Sequence, residues 1–576
     1  MTQSTDLYQR IGYPKEWLED GDTYAAGDSY IRYDPAWDDP IEDIPRISIY
    51  ELFKQTAERV PDEIAIDFLG KAVTYREFDL LINKFATLLL DLGVKKGDFI
   101  APMIPTSLQH WITFFAAARI GAIQASLNVM YKGKEIAYQI KDCGAKTVIV
   151  LDMFYPYFKA LKDDLGIENI IVTNLKDYVS PDFEVYPALQ PFWDFPKNAI
   201  EGTIDFCEAL EKCEPTSVVT ECDPANDPAM VIYTSGTTGD PKGALETHLN
   251  LVHNTITHAH LLKFKEKPVN YSILPMNHTG GYMAFQLPTF YRGGTVVPRP
   301  LFDITDGLKA IQQHKVTSLF GPPTFYQALM MHPKFDEFDL SSLRMSTAGA
   351  APVPMKLIEA WTAKTGSELK VGWGGTETNT LGTFNTLKNK SNPACVGVPF
   401  IGELKIINEQ GKVQPRGEVG EMLFRGLQVS QGYLNKPEQT KAAFQADGWF
   451  KTGDAGYIDD DGFLHYVDRI KDLIIASGYN IAPVDVEMTI VQHPSVVEAG
   501  VIGVPDEYRG ETVKAFVVLT DDAKGKVTEQ DIKDFCKEKI AAFKVPTVVE
   551  FIELLPRNVL GKALRKDLKA LESAKN

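Results

Sequence analysis

What this chain has little of narrows its class before any motif is considered. It lacks a charge-free run long enough to span a bilayer: the most apolar stretch, Trp111 to Met130, is interrupted by Arg119 and by several small or polar residues. The first residues, Met-Thr-Gln-Ser-Thr-Asp-Leu-Tyr, hold no apolar signal segment, and Ala574-Lys575-Asn576 is not a peroxisomal address. Cysteine is sparse, with six residues at 143, 207, 213, 222, 395 and 536 and no CxxC pair. That argues against a disulfide scaffold and for a reduced, cytoplasmic setting. The ten histidines show no zinc spacing, and His253, His258 and His260 read as a solvated helix face. Net positive charge is absent too. A formal charge of −18 argues against nucleic acid as a main partner and against anchoring on anionic lipid by charge, and the mixed basic tail from Lys562 to Lys575 is too short to reverse it. Peripheral membrane contact and a homo-oligomeric state stay open.

At 576 residues the chain is too long for one core, so two or more domains are expected. Its 44% hydrophobic and 24% charged residues suit a soluble globular protein. The stretch richest in chemistry is Ala229 to Gly243, Ala-Met-Val-Ile-Tyr-Thr-Ser-Gly-Thr-Thr-Gly-Asp-Pro-Lys-Gly. Met230 to Tyr233 reads as a buried strand. It breaks into Thr234, Ser235, Gly236, Thr237, Thr238 and Gly239, four hydroxyls and two glycines in six residues. Glycine lets the backbone approach a ligand and aim several N–H groups one way. Hydroxyls add donors without bulk, and Lys242 adds a point positive charge. Together they suit a polyphosphate. The stretch is not a Walker loop, because Lys242 is followed by Gly243 rather than Ser or Thr, so a kinase or GTPase is disfavoured.

Around this stretch the chain reads in blocks. Residues 1–46, rich in Asp, Pro and aromatics, form an arm wrapped on the body. Helices are expected from Ser48 to Val60 and from Tyr75 to Leu92, the second with Phe78, Leu81, Ile82, Phe85, Leu88, Leu89 and Leu92 on one face and Gly93 as its stop. Thr147 to Leu151 and Glu168 to Thr173 read as strands after helices, which argues for layered α/β with parallel sheets. Residues 174–227 read as a surface excursion. Beyond the loop, Ser272-Ile-Leu-Pro-Met-Asn-His-Thr-Gly-Gly-Tyr presents His278. Ser346-Thr-Ala-Gly-Ala-Ala-Pro352 offers small residues to a flat ring, and Trp373-Gly-Gly-Thr-Glu377 sets an aromatic ahead of a carboxylate. From 415 to 467 short strands and tight turns take over, with a hairpin at Asp461-Gly462 and the sequence Thr452-Gly-Asp454 among them. Asp468-Arg-Ile-Lys-Asp472 reads as a solvated linker, dividing a body of residues 1–470 from a small α+β domain of residues 471–576. In that domain Val497 to Val504 and Val513 to Leu519 are expected strands. A capping box of Thr528 and Asp531 opens a helix to about Phe543.

Tyr-Thr-Ser-Gly-Thr-Thr-Gly-Asp-Pro-Lys-Gly resembles the phosphate loop of the adenylate-forming superfamily, which holds acyl-CoA synthetases, firefly-type luciferases and peptide-synthetase adenylation domains. The later motifs follow in that family's order from about residue 48 to the end. The resemblance implies an α/β fold: a large N-terminal body of two layered α/β sheets plus a distorted β-barrel, with a small mobile C-terminal α+β lid. It implies ATP and AMP binding by Thr234 to Gly239 and Lys242, with Gly349, Ala350 and Ala351 against the adenine and Trp373 stacked on it beside Gly374. Thr376 would donate to the α-phosphate, Asp454 would bind the ribose hydroxyls and Arg469 would reach the ribose. Glu377, with Thr234, would hold Mg²⁺. His278 would sit by the acyl carboxylate and the pantetheine channel, and Gly478 and Tyr479 belong to a loop, Ala476-Ser-Gly-Tyr-Asn-Ile, that builds the CoA tunnel. Lys471 matches the hinge pivot. Pro556-Arg-Asn-Val-Leu-Gly-Lys562 is similar to the terminal catalytic-lysine motif, which makes Lys562 catalytic. Departures are Asn277 for an aromatic, Gly375 for a residue with a side chain, Arg557 for Lys and Leu560 for Ser or Thr.

The function this implies is an ATP-dependent acyl-CoA synthetase that activates a medium- or long-chain fatty acid to acyl-AMP and passes the acyl group to CoA. Thr279, Gly280 and Gly281 offer no carboxylate for an amino-acid amine, which disfavours a peptide-synthetase substrate. The rival readings are an aromatic-acid CoA ligase, an acyl-AMP ligase that loads a carrier protein, a luciferase-type oxygenase and, from a different class, a non-catalytic acyl or nucleotide sensor.

Overall fold

The computed structural model describes every residue except 1–2, 26, 235–240, 264, 478, 558–564 and 575–576. Two seven-stranded sheets dominate it. The first runs in the order Lys242–Thr247, Pro228–Thr234, Ile123–Gln124, Phe99–Met103, Thr147–Leu151, Asn169–Thr173 and Ile204–Asp205. Its strands are parallel apart from the edge strand Lys242–Thr247. The second runs Leu369–Val371, Met345–Ala348, Ser318–Gly321, Val269–Ser272, Thr295–Pro298, Ile64–Phe68 and Lys71–Thr74, parallel apart from its last hairpin. Parallel strands covered on both faces need continuous apolar runs. Thr147–Leu151, buried at every position, is such a run.

Helices join the two sheets into one core. Ile66 and Phe68 from one sheet and Ile149, Met230 and Ile232 from the other share a cluster with Phe78, Ile82, Phe85, Trp111, Phe114 and Phe115 from the helices Tyr75–Asp91 and Leu108–Ile120. Fully burying each of these aromatic side chains contributes about 2–3 kcal/mol. The expected helix starts hold. Ser48 accepts the Glu51 N–H, and Thr74 with Glu77 forms a reciprocal capping box.

The expected distorted barrel is a half-barrel sheet of five antiparallel strands, Tyr30–Arg32, Glu403–Ile407, Gly420–Arg425, Phe450–Ile458 and Leu464–Arg469. The N-terminal arm supplies its first strand. Tyr13 Oη donates to the Arg425 carbonyl at 3.1 Å, and the fully buried Glu403 takes Arg32 at 2.9 Å and Arg425 at 2.6 Å. The C-terminal unit packs Ile474–Ala476, Tyr479–Ile481, Val496–Asp506, Gly510–Leu519 and Val548–Phe551 into one sheet with the helices Pro483–Ile490, Glu529–Lys537 and Arg565–Ser573. No described helix is long and apolar enough to cross a membrane.

Four expectations are corrected. Residues 174–227 are not only a surface excursion, because Tyr186, Leu189, Phe206 and Leu210 are buried in the main core and Ile204–Asp205 closes a sheet edge. The linker is not simply solvated: Asp468 is buried, and it accepts the Val484 N–H at 3.1 Å and Arg565 Nη1 at 2.6 Å. The helix after Thr528 ends at Lys537, since the chain must turn there to bring Val545 into the core and Val548–Phe551 alongside Gly510–Leu519. Finally, the helix His248–His260 carries no solvated face, and all thirteen of its residues are buried.

Candidate active site

The buried helix His248–His260 is the polar spine of the site. Thr247 caps it by accepting the Asn250 N–H at 3.2 Å. Its inward polar side chains hold backbone from distant loops. Asn250 Nδ2 donates to the Leu427 and Val429 carbonyls at 2.7 and 3.0 Å, and Asn254 Nδ2 donates to the Asn379 carbonyl at 2.7 Å. Both held loops carry site residues.

The candidate groups gather at the carboxyl ends of parallel strands, where open α/β sheets place ligands. Pro228–Thr234 ends on Thr234, and Lys242 lies opposite it on the returning edge strand. Thr234 Oγ1 donates to the Lys242 carbonyl at 3.4 Å. Ser235, Gly236, Thr237, Thr238 and Gly239, between them, lie outside the described residues. The Lys242 ammonium stands 4.5 Å from the centroid of the Tyr433 ring, and Tyr433 Oη donates to Glu377 Oε1 at 2.8 Å. Lys242, Tyr433 and Glu377 thus form one line. Burial, with Glu377 beside it, raises the Tyr433 pKa, so the phenol stays a donor.

Glu377 lies on a short 3₁₀ turn, Thr376–Thr378, that also holds the half-buried Thr376. The turn is followed by two residues with positive φ, Asn379 at 55° and Thr380 at 91°. The second is an outlier for a β-branched residue. Gly374 is required here, because a Cβ on it would stand 1.9 Å from the Thr380 carbonyl oxygen. At Gly375 a Cβ would meet only Glu377 Oε2, at 3.6 Å, so this position is open.

A second group forms on the half-barrel. Asp454 and Arg469 are register partners on neighbouring strands, with Arg469 Nε 2.9 Å from Asp454 Oδ1. Trp373 Nε1 donates to Asp454 Oδ2 at 2.7 Å. Trp373 is itself buried, packed with Leu404, Met422 and Phe424. Burial works against the Arg469 charge, but Asp454, followed by Tyr466 and Glu377, holds its pKa above the ordinary value. Lys471 is exposed, yet its pKa is lowered, first by partial burial and then, against the pull of Asp472, by Arg469, Lys569 and Lys242. Lys471 therefore lies within the field of Lys242.

The remaining candidates are more scattered. Gly349, Ala350 and Ala351 follow the strand Met345–Ala348, and the exposed Ala350 takes φ 66°. His278 lies in the turn after Ser272. Burial lowers its pKa to about 4, leaving it neutral, and its Nε2 has no hydrogen-bond partner among the described residues. Tyr479 is half exposed and stacks on Phe543 with centroids 4.4 Å apart. Gly478 and Lys562 lie outside the described residues.

Two residues escaped the sequence reading. Tyr433 follows Gly432, whose φ of 143° marks a tight backbone turn, in Gln-Gly-Tyr-Leu-Asn. Glu246 is a lone acid in the strand after Lys242. It is fully buried, and burial with Glu377 nearby pushes its carboxyl up to about 8 despite a bond from Ser430. An acid directly after Ala244-Leu245 in that strand was the available signal. As for metals, no cluster of three or more His, Cys, Asp or Glu side chains among the described residues could hold one. A cation here would bring phosphate and water ligands with it, as Mg²⁺ does, and the Glu377 carboxylate with the Thr234 hydroxyl is a hard-oxygen pair that fits this habit.

Layered parallel sheets, with Lys242 and Glu377 both in contact with Tyr433 near a strand end, define an α/β protein whose candidate site is charged and lies at the carboxyl ends of its strands. Comparison with known proteins agrees. Residues 53–434 match the model of the AMP-binding enzyme family and residues 485–562 that of the AMP-binding enzyme C-terminal domain. The chain is 36% identical over 533 residues to a long-chain-fatty-acid–CoA ligase of Bacillus subtilis (strain 168), covering 91% of this chain and 94% of that one. It is 32% identical to 4-coumarate–CoA ligase 4 of Arabidopsis thaliana, covering 87% and 86%. Among solved structures, the anthranilate CoA ligase AuaEII in complex with anthranoyl-AMP superposes with a TM-score of 0.82 at 27% identity, covering 92% of this chain and 98% of that one. The chain belongs to the AMP-binding enzyme family and, within it, to the AMP-forming acid–thiol ligases.

Proposed function

We propose that the protein is an ATP-dependent acyl-CoA synthetase that activates a medium- or long-chain fatty acid. The observation that carries the reaction is the line Lys242–Tyr433–Glu377 at the end of the strand that leads into the hydroxyl-glycine loop. A carboxylate is a poor acyl donor because its leaving group is oxide. Its oxygen attacks the α-phosphorus of ATP, the bond to pyrophosphate breaks, and an acyl-AMP results. The sulfur of CoA then attacks the acyl carbonyl, and AMP leaves. The first step asks for little proton transfer, and its work is placing anions and offsetting charge as it develops; in the second the CoA thiol gives up its proton as its sulfur attacks.

In this reading the phosphate loop and Lys242 hold the triphosphate, Thr376 donates to the α-phosphate, and Asp454 with Arg469 takes the ribose. Gly349, Ala350 and Ala351 line the adenine. Bound Mg²⁺ would supply positive charge beside the phosphates, held by Glu377 and Thr234. His278, kept neutral by burial, offers an uncharged ring nitrogen beside the acyl carboxylate. Lys562 and the loop of Gly478 and Tyr479 both lie beyond Lys471, so a rotation there would exchange one for the other between the two steps.

The fatty acid is supported by the likeness to the Bacillus subtilis ligase and by the absence of a charged side chain from His278 to Gly281. An aromatic acid is the second reading, favoured by the likeness to the 4-coumarate and anthranilate ligases. ATP–pyrophosphate exchange over a panel of carboxylic acids, with AMP release measured with and without CoA, tests both. Exchange with C8 to C18 acids and CoA-dependent turnover is the expected result. Exchange confined to aromatic acids would replace the substrate class, a missing CoA effect would point to a carrier protein as acceptor, and no exchange with any acid would leave a sensor.

A further inference from the structure

We infer that Glu246 is the positioning residue that fixes the Glu377 turn against the phosphate-binding hairpin. The inference rests on the reading of Glu377 as the metal-binding carboxylate. Glu246 lies on the edge strand Lys242–Thr247, four residues after Lys242, and is fully buried. Removing a carboxyl from water is costly, and an apolar residue would fill this strand position without that cost. Its two partners explain why an acid stands there.

Ser430 Oγ donates to Glu246 Oε1 at 2.6 Å, and Asn379 Nδ2 donates to Glu246 Oε2 at 3.1 Å. Both partners flank Glu377. Asn379 is two residues beyond it, and the Ser430 N–H donates to the Glu377 carbonyl at 3.0 Å. Ser430 also opens the loop that carries Tyr433, the hydroxyl that donates to the Glu377 side chain. One buried carboxyl therefore ties three segments together: the strand of Lys242, the turn of Glu377 and the loop of Tyr433. The turn needs such a tie, because Asn379 and Thr380 hold positive φ angles that persist only where surrounding contacts over-determine them. Asn254, donating to the Asn379 carbonyl, supplies one such contact from outside the turn and Glu246 another. Tyr433, which donates to the Glu377 carboxylate, is its direct outer partner, the kind whose loss typically weakens metal affinity by about 10- to 100-fold, and Glu246 acts one contact further out by holding the backbone that positions both.

The test uses the full chain and Mn²⁺ as the probe. Mn²⁺ is titrated by electron paramagnetic resonance in the presence of a non-hydrolysable ATP analogue, for the wild type, Glu246→Gln, Glu246→Leu, Ser430→Ala and the reference Glu377→Gln. Binding of the analogue in EDTA and thioester formation from supplied acyl-AMP are measured alongside. The expected result is Mn²⁺ affinity about 10-fold weaker in both Glu246 variants and less weakened in Ser430→Ala, with metal-free analogue binding falling by a smaller factor and thioester formation falling least. If Glu246→Leu does not fold, Glu246→Gln and Ser430→Ala carry the measurement. Wild-type Mn²⁺ affinity in the Glu246 variants, or equal loss of metal-free analogue binding and thioester formation, would overturn the inference. Wild-type affinity in Glu377→Gln would instead remove the metal-ligand reading, and the inference would fall with it.

Discussion

In the body, side chains from two different sheets belong to one core: Ile66 and Phe68 pack in the same cluster as Ile149 and Met230. In the C-terminal unit the two apolar cores draw only on residues from Ile474 to Leu568. Hydrogen bonds tie this unit to the segment before it, with Asp468 taking both the Val484 N–H and Arg565. A shared apolar core fixes its parts in one arrangement, whereas a few charged bonds can be remade in another. The site follows the same division. Lys242, Tyr433 and Glu377 form one contacting group on the body side, and Trp373, Asp454 and Arg469 form another. Lys562 and Gly478 follow Lys471 in the sequence. We read the body as the preassembled half of the site and the C-terminal unit as the half that is brought to it.

The largest expected effect breaks the comparison if it fails. Lys562→Ala should lower adenylation by about 100- to 1,000-fold, the range for removing one preorganised charge-stabilising group, while thioester formation from supplied acyl-AMP persists. Measuring the two half-reactions separately decides it. Equal losses in both would mean that the C-terminal unit does not exchange groups between steps.

A second effect separates the two regions by pH. Burial lowers the pKa of His110, His248 and His258 to about 4 and of His253 to about 3, from an ordinary 6.5. The folded body thus binds fewer protons than the unfolded body below pH 6.5. These histidines favour the fold fully above that value, and the advantage drains away as the pH falls toward 4. At pH 5 each one costs about 2 kcal/mol relative to pH 8, since every tenfold difference in proton affinity between the folded and unfolded chain is worth about 1.4 kcal/mol. The C-terminal unit has one histidine, His493, and it is only half-buried. All seven tryptophans lie between residues 17 and 449, so tryptophan fluorescence reports the body alone. Urea unfolding followed by that fluorescence should show the midpoint falling between pH 7 and pH 5. An unchanged midpoint would mean that the buried histidines find partners when protonated.

What the sequence made legible was local. The strand into the hydroxyl-glycine loop, the helix starts at Ser48 and Thr74, and the Asp461-Gly462 hairpin are each set by neighbours within a few positions. Glu246 and Tyr433 were not legible, because their roles come from partners 133 to 184 residues away for Glu246 and 56 for Tyr433. The helix His248–His260 defeats a periodicity argument for a related reason. Periodicity counts His, Asn and Thr as polar and so as solvated. Here Asn250, Asn254 and His258 bond the carbonyls of Leu427, Val429, Asn379 and Met283, which only the fold delivers. Asp468 misleads in the same way, as its charge is spent on Arg565 rather than on water.

The smallest effect sharpens the division from the body side. The family resemblance puts Trp373 on the adenine as a stacking ring, but its indole N–H is bound to Asp454 Oδ2 and its ring is packed among Leu404, Met422 and Phe424. Trp373→Phe keeps an aromatic in that cluster and removes only the donor. A hydrogen bond to a charged group is worth about 1.5–3 kcal/mol net, and with Arg469 still holding Asp454 the low end applies, about a tenfold rise in the KM for ATP. If the indole acts by holding Asp454 for the ribose, the rise should shrink when 2′,3′-dideoxy-ATP replaces ATP, because that nucleotide has no hydroxyls for Asp454 to bind. A rise of equal size with both nucleotides would assign Trp373 to the adenine instead. Because the ribose stays bound through adenylation and thioester formation, the loss should fall on both half-reactions, the opposite of the split expected for Lys562→Ala. A body residue that uncoupled the two steps would show that the preassembled half of the site also changes between them.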